Sequence, residues 1–418
     1  MTIRAFQGGA GCGKTHRLMQ TLMDGLEQRP LQPGQRILAL TYMHGSRRRL
    51  DGRLRDLRLA FECSTVDSFA WRIVTRWRGL AEHLDKALPA ETDYEAVCAV
   101  AGALLEQPVV VDWVGATHPI VVIDEAQDLC AVRLRIVQAL AARLDLLVAA
   151  DEFQCLDETL RPNPYCSWIM ATAEVETLEI PHRTNVPALL TAAAALRAGA
   201  VPQSQRPFEI RLAPSPAFAG ASLSNQIGWH RRGGTVAVLT PSAGRYAKGA
   251  VAWATLNQTS RNQGPHRIRW EQAERDVVAE LLGRLTLADR CNLAEADEAI
   301  GKLGVRSVVT AMREWLAIQQ RALGRQEVMR SEVEDVLHRV VSHGRRVARG
   351  DVGGLLAMTV HGAKNREFDG VVVLWSHDMG GDDEAKRRLL YNAVTRAKRW
   401  CLVLVEGERL LNRPPFAG

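Results

Sequence analysis

The run Gly8-Gly9-Ala10-Gly11-Cys12-Gly13-Lys14-Thr15 constrains this chain more than any other feature. It fits the pattern G-x-x-x-x-G-K-[ST] and stands between a short apolar stretch, Thr2 to Gln7, and a helical pattern from Thr15 to Glu27. A strand, a glycine turn and a helix in that order form a cradle for phosphate. Glycines let backbone N–H groups turn inward around phosphate oxygens, and the helix N-terminus adds partial positive charge. Lys14 is placed to reach the β and γ phosphates, and Thr15 to offer its hydroxyl to Mg²⁺. ATP and Mg²⁺ are therefore the expected ligands of Gly8 to Thr15.

The rest of the chain has to supply a fold around that loop. At 418 residues it exceeds one ordinary core, which implies two or more domains. Gln35 to Thr41, Pro119 to Ile123 and Leu144 to Ala150 are apolar throughout and alternate with helical patterns, as expected of a parallel sheet covered on both faces. A second set of such strands is expected at Val175 to Ile180, Thr235 to Thr240, Leu355 to Thr359, Val371 to Leu374 and Trp400 to Val405. The stretch Ala200 to Gly220, rich in Pro, Ala and Ser, suggests surface connection. Leu281 to Arg349 shows no strand signal and suggests helices. A smaller helical insert is expected from Trp71 to Thr117.

Composition narrows the class. Hydrophobic residues make up 47% and charged residues 24%, an ordinary globular balance. The net charge of +6 permits a polyanionic partner without requiring one. The eight cysteines include no C-x-x-C pair, which argues against zinc or iron–sulfur sites and for reduced thiols in a cytoplasmic protein. The N-terminus lacks a signal-peptide pattern, and no apolar run of about 18 residues is present to span a membrane.

Asp124-Glu125 follows the apolar run His118 to Ile123, and acids at the carboxyl end of a buried strand lie where such sheets bind ligands. Asp124 can hold the metal. Glu125 can polarise the water that attacks the γ phosphate.

The longer run Asp124-Glu125-Ala126-Gln127-Asp128 resembles motif II of superfamily 1 helicases of the UvrD/Rep/PcrA type. Six further motifs then occur in order. Leu40-Thr41-Tyr42-Met43-His44 resembles motif Ia, Ser64 to Ala70 motif Ib, and Ala150-Asp151-Glu152-Phe153-Gln154 motif III. Leu178 to Thr184 resembles motif IV, Met358 to Lys364 with Glu367-Phe368-Asp369 motif V, and Leu389 to Lys398 motif VI. The resemblance implies two RecA-like parallel-sheet P-loop domains with small helical inserts. The first would span residues 1–173 with its insert at about 71–117. The second would span 174–418 with its insert at about 257–350.

The resemblance also implies roles. Gln154 would couple the γ phosphate to the DNA track, and Arg183 and Arg396 would reach that phosphate from the second domain. Guanidinium forks suit charge spread over phosphoryl oxygens. Glu367 would accept from the ribose hydroxyls. Single-stranded DNA, or duplex with a single-stranded tail, would be gripped by Tyr42, His44, Ser64, Thr65 and Phe69 on one domain and by Thr359, His361 and Lys364 on the other. For Phe69, core packing is an equal alternative. The basic helix Arg47 to Arg53 is a solvated face or a phosphate track.

The chain departs from the family in four places. It opens only a few residues before the loop, which leaves no room for the adenine-reading Gln segment, so relaxed base specificity is expected. His182 stands where the family has the adenine-stacking Tyr. Cys155 to Pro162 lacks the base-stacking Trp that follows motif III, with Trp168 a candidate substitute. Asn365-Arg366 replaces Gly-Leu. The expected activity is a DNA-dependent ATPase acting as a 3′-to-5′ translocase or helicase. The alternative is an ATP-gated DNA-sensing or regulatory subunit working with a nuclease or anti-phage defence protein. A small-molecule P-loop kinase is a third reading, against which motifs V and VI and the second sheet argue.

Overall fold

The fold is described from a computed structural model, which covers the chain except residues 1, 43, 92, 231–233, 272–273, 349–354 and 418, and except the side chains of 44–46, 48, 230, 274–276 and 342–348. The strands in chain order are β1 Ile3–Gly8, β2 Ile37–Thr41, β3 Phe61–Thr65, β4 Ile120–Asp124, β5 Asp145–Ala150, β6 Glu174–Leu178, β7 Phe208–Leu212, β8 Val236–Thr240, β9 Ile268–Trp270, β10 Arg290–Asn292, β11 Glu327–Met329, β12 Leu355–Thr359, β13 Phe368–Trp375 and β14 Ala397–Val405.

The first sheet runs β3-β2-β4-β5-β1-β6, and all its neighbours pair in parallel. Its central strands are apolar throughout because helices cover both faces. Every residue of β2 is buried, as are four of the five in β4. The order places the carboxyl ends of β1, β4 and β5 side by side, so the segments after Gly8, Asp124 and Ala150 converge on one edge of the sheet.

The strand expected at Val175 to Ile180 belongs to this first sheet, as β6, and not to the second. It pairs with β1 from Arg4↔Glu174 to Gly8↔Leu178. Its Glu174 and Glu176 face Arg4 and Arg17, the latter pair at 2.8 Å. Such charge on an edge strand blunts it against further pairing. Gly8 is required here, since a Cβ at that position would collide with the Leu178 backbone.

The second sheet runs β7-β14-β13-β8-β12-β9, with β7, β14, β13 and β8 parallel. The stretch read as surface connection contains β7. Phe208 is fully buried beside Cys401, while Glu209 and Arg211 turn outward and pair with each other. Alternation within a Pro- and Ser-rich context masked that strand.

The described chain divides into two compact units, residues 1–268 with 359–418, and residues 269–358. In the first unit the helices Arg78–His83, Tyr94–Leu105 and Pro108–Thr117 occupy the stretch between β3 and β4 where a smaller helical insert was expected. They bury Cys98, Ala101, Leu104 and Val110 in the core of the first sheet. The second unit is chiefly the helices Glu274–Arg284, Leu293–Gly301, Arg306–Arg321 and Arg330–Ala348, around Leu281, Ile300, Met312 and Leu337. It also holds an antiparallel ribbon, β10 with β11, where no strand was expected. Each ribbon strand has three residues, too short for a period-two signal. No single described helix is long and apolar enough to cross a membrane.

Candidate nucleotide-binding and hydrolysis site

The loop after β1 turns through Gly11 at φ 82° and Gly13 at φ 79°, left-handed values that favour glycine. It delivers the helix Lys14–Gln28. The Lys14 ammonium donates to the Gly8 and Gly9 carbonyls, both at 2.9 Å, and stands 4.0 Å from Oδ2 of Asp151. The Thr15 hydroxyl donates to Oδ2 of Asp124 at 3.1 Å, so the two expected metal ligands meet. One hydroxyl and one carboxylate suit Mg²⁺, a hard cation that takes its remaining oxygens from water and substrate phosphates. Among the described residues no group of three or more His, Cys, Asp or Glu forms a protein-only metal cage.

The segment after β6 lies on this loop. The His182 N–H donates to the Gly11 carbonyl at 2.7 Å, and the exposed His182 ring stands against Gly13. A Cβ at Gly11 would come 2.6 Å from that of Arg183, so Gly11 also admits motif IV.

Glu125 sits in the left-handed region at φ 58° and ψ 43°. That conformation is uncommon for a residue with a Cβ. It turns the side chain back to accept from Nε2 of Gln127 at 2.7 Å, with Nη2 of Arg49 at 3.4 Å. Burial and the neighbouring Glu125 charge push the Asp124 carboxyl above its ordinary range. At Glu125 burial acts upward too, but Lys14, Arg49 and the Gln127 hydrogen bond outweigh it and hold the carboxyl low. Glu125 is thereby kept as a carboxylate, the form a general base needs.

Two members of this cluster were not singled out from the sequence. Gln127 accepts the Asp151 N–H at 3.0 Å and ties the strand end of β4 to that of β5. Arg49 was read as part of a solvated face or phosphate track. Its side chain is 30% exposed and also donates to Oδ1 of Asn365 at 2.7 Å. A charge-rich helix hides which of its arginines faces inward, because the sequence neighbours are equally basic.

The turn after β5 carries Asp151, whose fully buried carboxylate accepts from the Phe153 N–H at 3.2 Å, Nε2 of Gln154 at 2.8 Å and Nη1 of Arg197 at 2.7 Å. Oε1 of Gln154 accepts from Nη2 of Arg396 at 3.2 Å, which joins motif III to motif VI. Arg396 is 2% exposed and anchored by its Nε to the Asn392 carbonyl at 3.0 Å. Burial and the nearby Arg183 charge lower its pKa to about 10. Tyr391, one turn earlier, accepts the Ala10 N–H at 2.8 Å.

Arg183 was expected to approach from the second domain. It follows β6 of the first sheet and lies on the connection between the sheets. Its Nε stands 2.8 Å from Oε1 of Glu367, and its Nη1 donates to the Thr395 carbonyl at 3.0 Å. Glu367 also faces Lys398 at 3.2 Å. The expected ribose acceptor is thus engaged by two cations, and although burial opposes it, they hold its carboxyl below the usual range.

The expected DNA contacts fare unevenly. Phe69 is 3% exposed within the first sheet's core, so core packing is its role. Thr65 caps the helix Val66–Arg76 by accepting the Ser68 N–H at 3.2 Å, and Ser64 is buried beside it. Tyr42 is exposed at the end of β2, with the Arg133 guanidinium 5.4 Å from its ring centre. His44 opens the helix His44–Asp56, but its side chain lies outside the described residues. Thr359 accepts the Gly362 N–H at 3.2 Å, and His361 is exposed. Lys364 is turned inward, 2.8 Å from Oδ1 of Asp128. Trp168 packs on the first sheet's core, edge-on to Tyr165 at 6.1 Å, and does not supply the missing exposed ring.

Residues 354–404 match the family model described as UvrD-like helicase C-terminal domain. No curated protein matches the chain. Among solved structures, arterivirus nonstructural protein 10, a helicase, is similar at 9% identity and a TM-score of 0.41, covering 98% of this chain and 61% of that one. The same arterivirus protein in complex with DNA is similar at 10% identity and a TM-score of 0.40, covering 98% of this chain and 63% of that one. The chain thus spans less than two thirds of the length of either. The family match falls on motifs V and VI, and five further motifs that resemble those of UvrD-like superfamily 1 helicases precede it in order.

Proposed function

We propose that this chain is an ATP-dependent translocase or helicase on single-stranded DNA, moving 3′ to 5′ and hydrolysing ATP between its two sheets. The observation that carries the reading is the contact of Arg396 with Gln154, 3.2 Å long, beside the phosphate loop. It puts a second-sheet arginine next to a first-sheet glutamine where a γ phosphate would lie. Gly8 to Thr15 would hold the phosphates, and Thr15 with Asp124 would hold Mg²⁺, which supplies charge neutralisation on the phosphoryl oxygens. Glu125, kept ionised, takes a proton from the attacking water. Gln154, in contact with Arg396, would couple the γ phosphate to the DNA track. Arg396 and Arg183 neutralise charge that develops on the transferred group. His182 against Gly13 would lie beside the base, and Glu367 would meet the ribose once Arg183 turns to phosphate.

A second reading rests on a specific observation. Of the expected DNA contacts, Phe69, Thr65 and Lys364 are committed inside the fold. That favours a weaker DNA grip and an ATP-gated regulatory or DNA-sensing subunit, with a nuclease or defence protein as partner.

ATPase rates with and without single-stranded DNA test both. A motor hydrolyses ATP with strong stimulation by DNA, and loses this in Lys14→Ala and in Glu125→Gln. Rates indifferent to DNA support the regulatory reading. Normal hydrolysis by both variants sinks the catalytic assignment. Duplexes carrying a single-stranded 3′ or 5′ tail then report direction and strand separation.

A further inference from the structure

The helix Pro187–Arg197 follows motif IV, and its last residue is an arginine that no motif includes. Arg197 reaches into the nucleotide site. Its Nη1 is 2.7 Å from Oδ1 of Asp151 and 3.5 Å from the Tyr391 hydroxyl, and its guanidinium carbon is 5.8 Å from the Phe153 ring centre. The same Nη1 would lie 3.9 Å from a Cβ at Gly9 of the phosphate loop.

Asp151 is the reason to assign Arg197 a role. Its carboxylate is fully buried, and a buried charge needs compensation. The two oxygens divide the work. Oδ1 takes Arg197 and the Phe153 N–H, at 2.7 and 3.2 Å. Oδ2 takes Nε2 of Gln154 at 2.8 Å and faces Lys14 at 4.0 Å. The amide orientation of Gln154 is set by that bond: with Nε2 on Asp151, Oε1 is left to face Arg396. Among the described residues, Lys14 and Arg197 are the cations that pair with this carboxylate, and Lys14 is also the cation that phosphate would claim. A site that spends Lys14 on phosphate needs the other cation to hold the buried Asp151 carboxylate in place.

We propose that Arg197 is a positioning residue of the hydrolytic site: it holds the Asp151 carboxylate in place when Lys14 turns to phosphate, and through Asp151 keeps Gln154 aimed at Arg396. The inference rests on the ATPase reading and adds a residue to it. Arg197 acts through Asp151 and Gln154, so its loss weakens the chemical step more than nucleotide binding. Its side chain is 41% exposed, and its removal leaves the sheet cores intact.

The test compares steady-state ATP hydrolysis by the wild type, Lys14→Ala, Arg197→Ala and Arg197→Lys, each with its thermal midpoint. In Arg197→Ala, kcat should fall about 10- to 100-fold, the range of an orienting contact near the reacting atoms, while KM for ATP stays within about threefold, as loss of an interaction felt in the transition state requires. Arg197→Lys keeps the charge and should restore much of kcat. An unchanged kcat in Arg197→Ala overturns the proposal alone, as does a loss that Arg197→Lys leaves unrepaired. A parallel fall of kcat and thermal midpoint marks a structural residue and overturns it too. A wild type no more active than Lys14→Ala overturns the ATPase reading, and this inference with it.

Discussion

The Lys364 ammonium stands 2.8 Å from Oδ1 and 3.0 Å from Oδ2 of Asp128, with the two side chains 13% and 8% exposed. This buried pair joins the segment after β12 to the segment after β4. Removing one partner leaves the other charge buried, which costs about 3–5 kcal/mol. Lys364→Met should therefore lower stability by that order in denaturant unfolding, and Lys364→Met with Asp128→Leu should recover most of it. A Lys364→Met protein of unchanged stability, with only its DNA affinity reduced, would return Lys364 to the nucleic-acid track.

Phe69 and Tyr42 should separate cleanly. Phe69→Ala opens a cavity in the first sheet's core and should lower stability by about 3–5 kcal/mol. Tyr42→Ala touches an exposed ring. It should leave the unfolding midpoint nearly unchanged while weakening single-stranded DNA binding by about 1–3 kcal/mol, the worth of one stacked base. Fluorescence anisotropy at fixed salt measures the second. Equal DNA affinity in Tyr42→Ala would remove Tyr42 from the track.

Arg49 holds the Glu125 carboxyl down, alongside Lys14 and against burial. Without that cation the carboxyl of Glu125 rises. The acid limb of the pH dependence of kcat should therefore move to higher pH in Arg49→Ala, with kcat at alkaline pH less affected. A pH–rate profile that superimposes on the wild type would mean that Arg49 does not tune the base.

Glu367 has its carboxyl lowered by Arg183 and Lys398 acting against burial. A carboxyl depressed in the folded state contributes stability that is present above its unfolded pKa, about 4.3. That contribution is lost as pH falls through the lower, folded value. Between neutral pH and the acid limb the wild type should thus lose more stability than Glu367→Gln, whose side chain does not titrate. Thermal midpoints taken in steps of pH measure the difference. Parallel curves would show that the Arg183–Glu367–Lys398 cluster contributes nothing net.

What could be read in advance follows from how local each signal is. The phosphate loop is a contiguous run whose glycines answer to backbone geometry at their own positions, as Gly11 and Gly13 confirm with positive φ. β2, β4 and β5 were legible because complete burial writes an unbroken apolar run. β6 and β7 were misplaced or missed because they are edge strands, with one side open and alternating residues.

The sequence by itself determined the order of the motifs, the strand–loop–helix proposed to hold phosphate and the Thr15–Asp124 pair, since each depends on neighbours in the chain or on strand ends made adjacent by a parallel sheet. Only the tertiary structure decided which charges meet. Arg49 on Glu125, Arg197 on Asp151, Lys364 on Asp128 and Arg183 on Glu367 are contacts between residues 46 to 236 positions apart. In a chain whose 53 basic residues include only seven Lys, arginines are spread along most of the sequence, and composition cannot say which one turns inward. Burial selects them: a charge enters the interior where an opposite charge or a set of acceptors is waiting, and that pairing is a property of the folded chain.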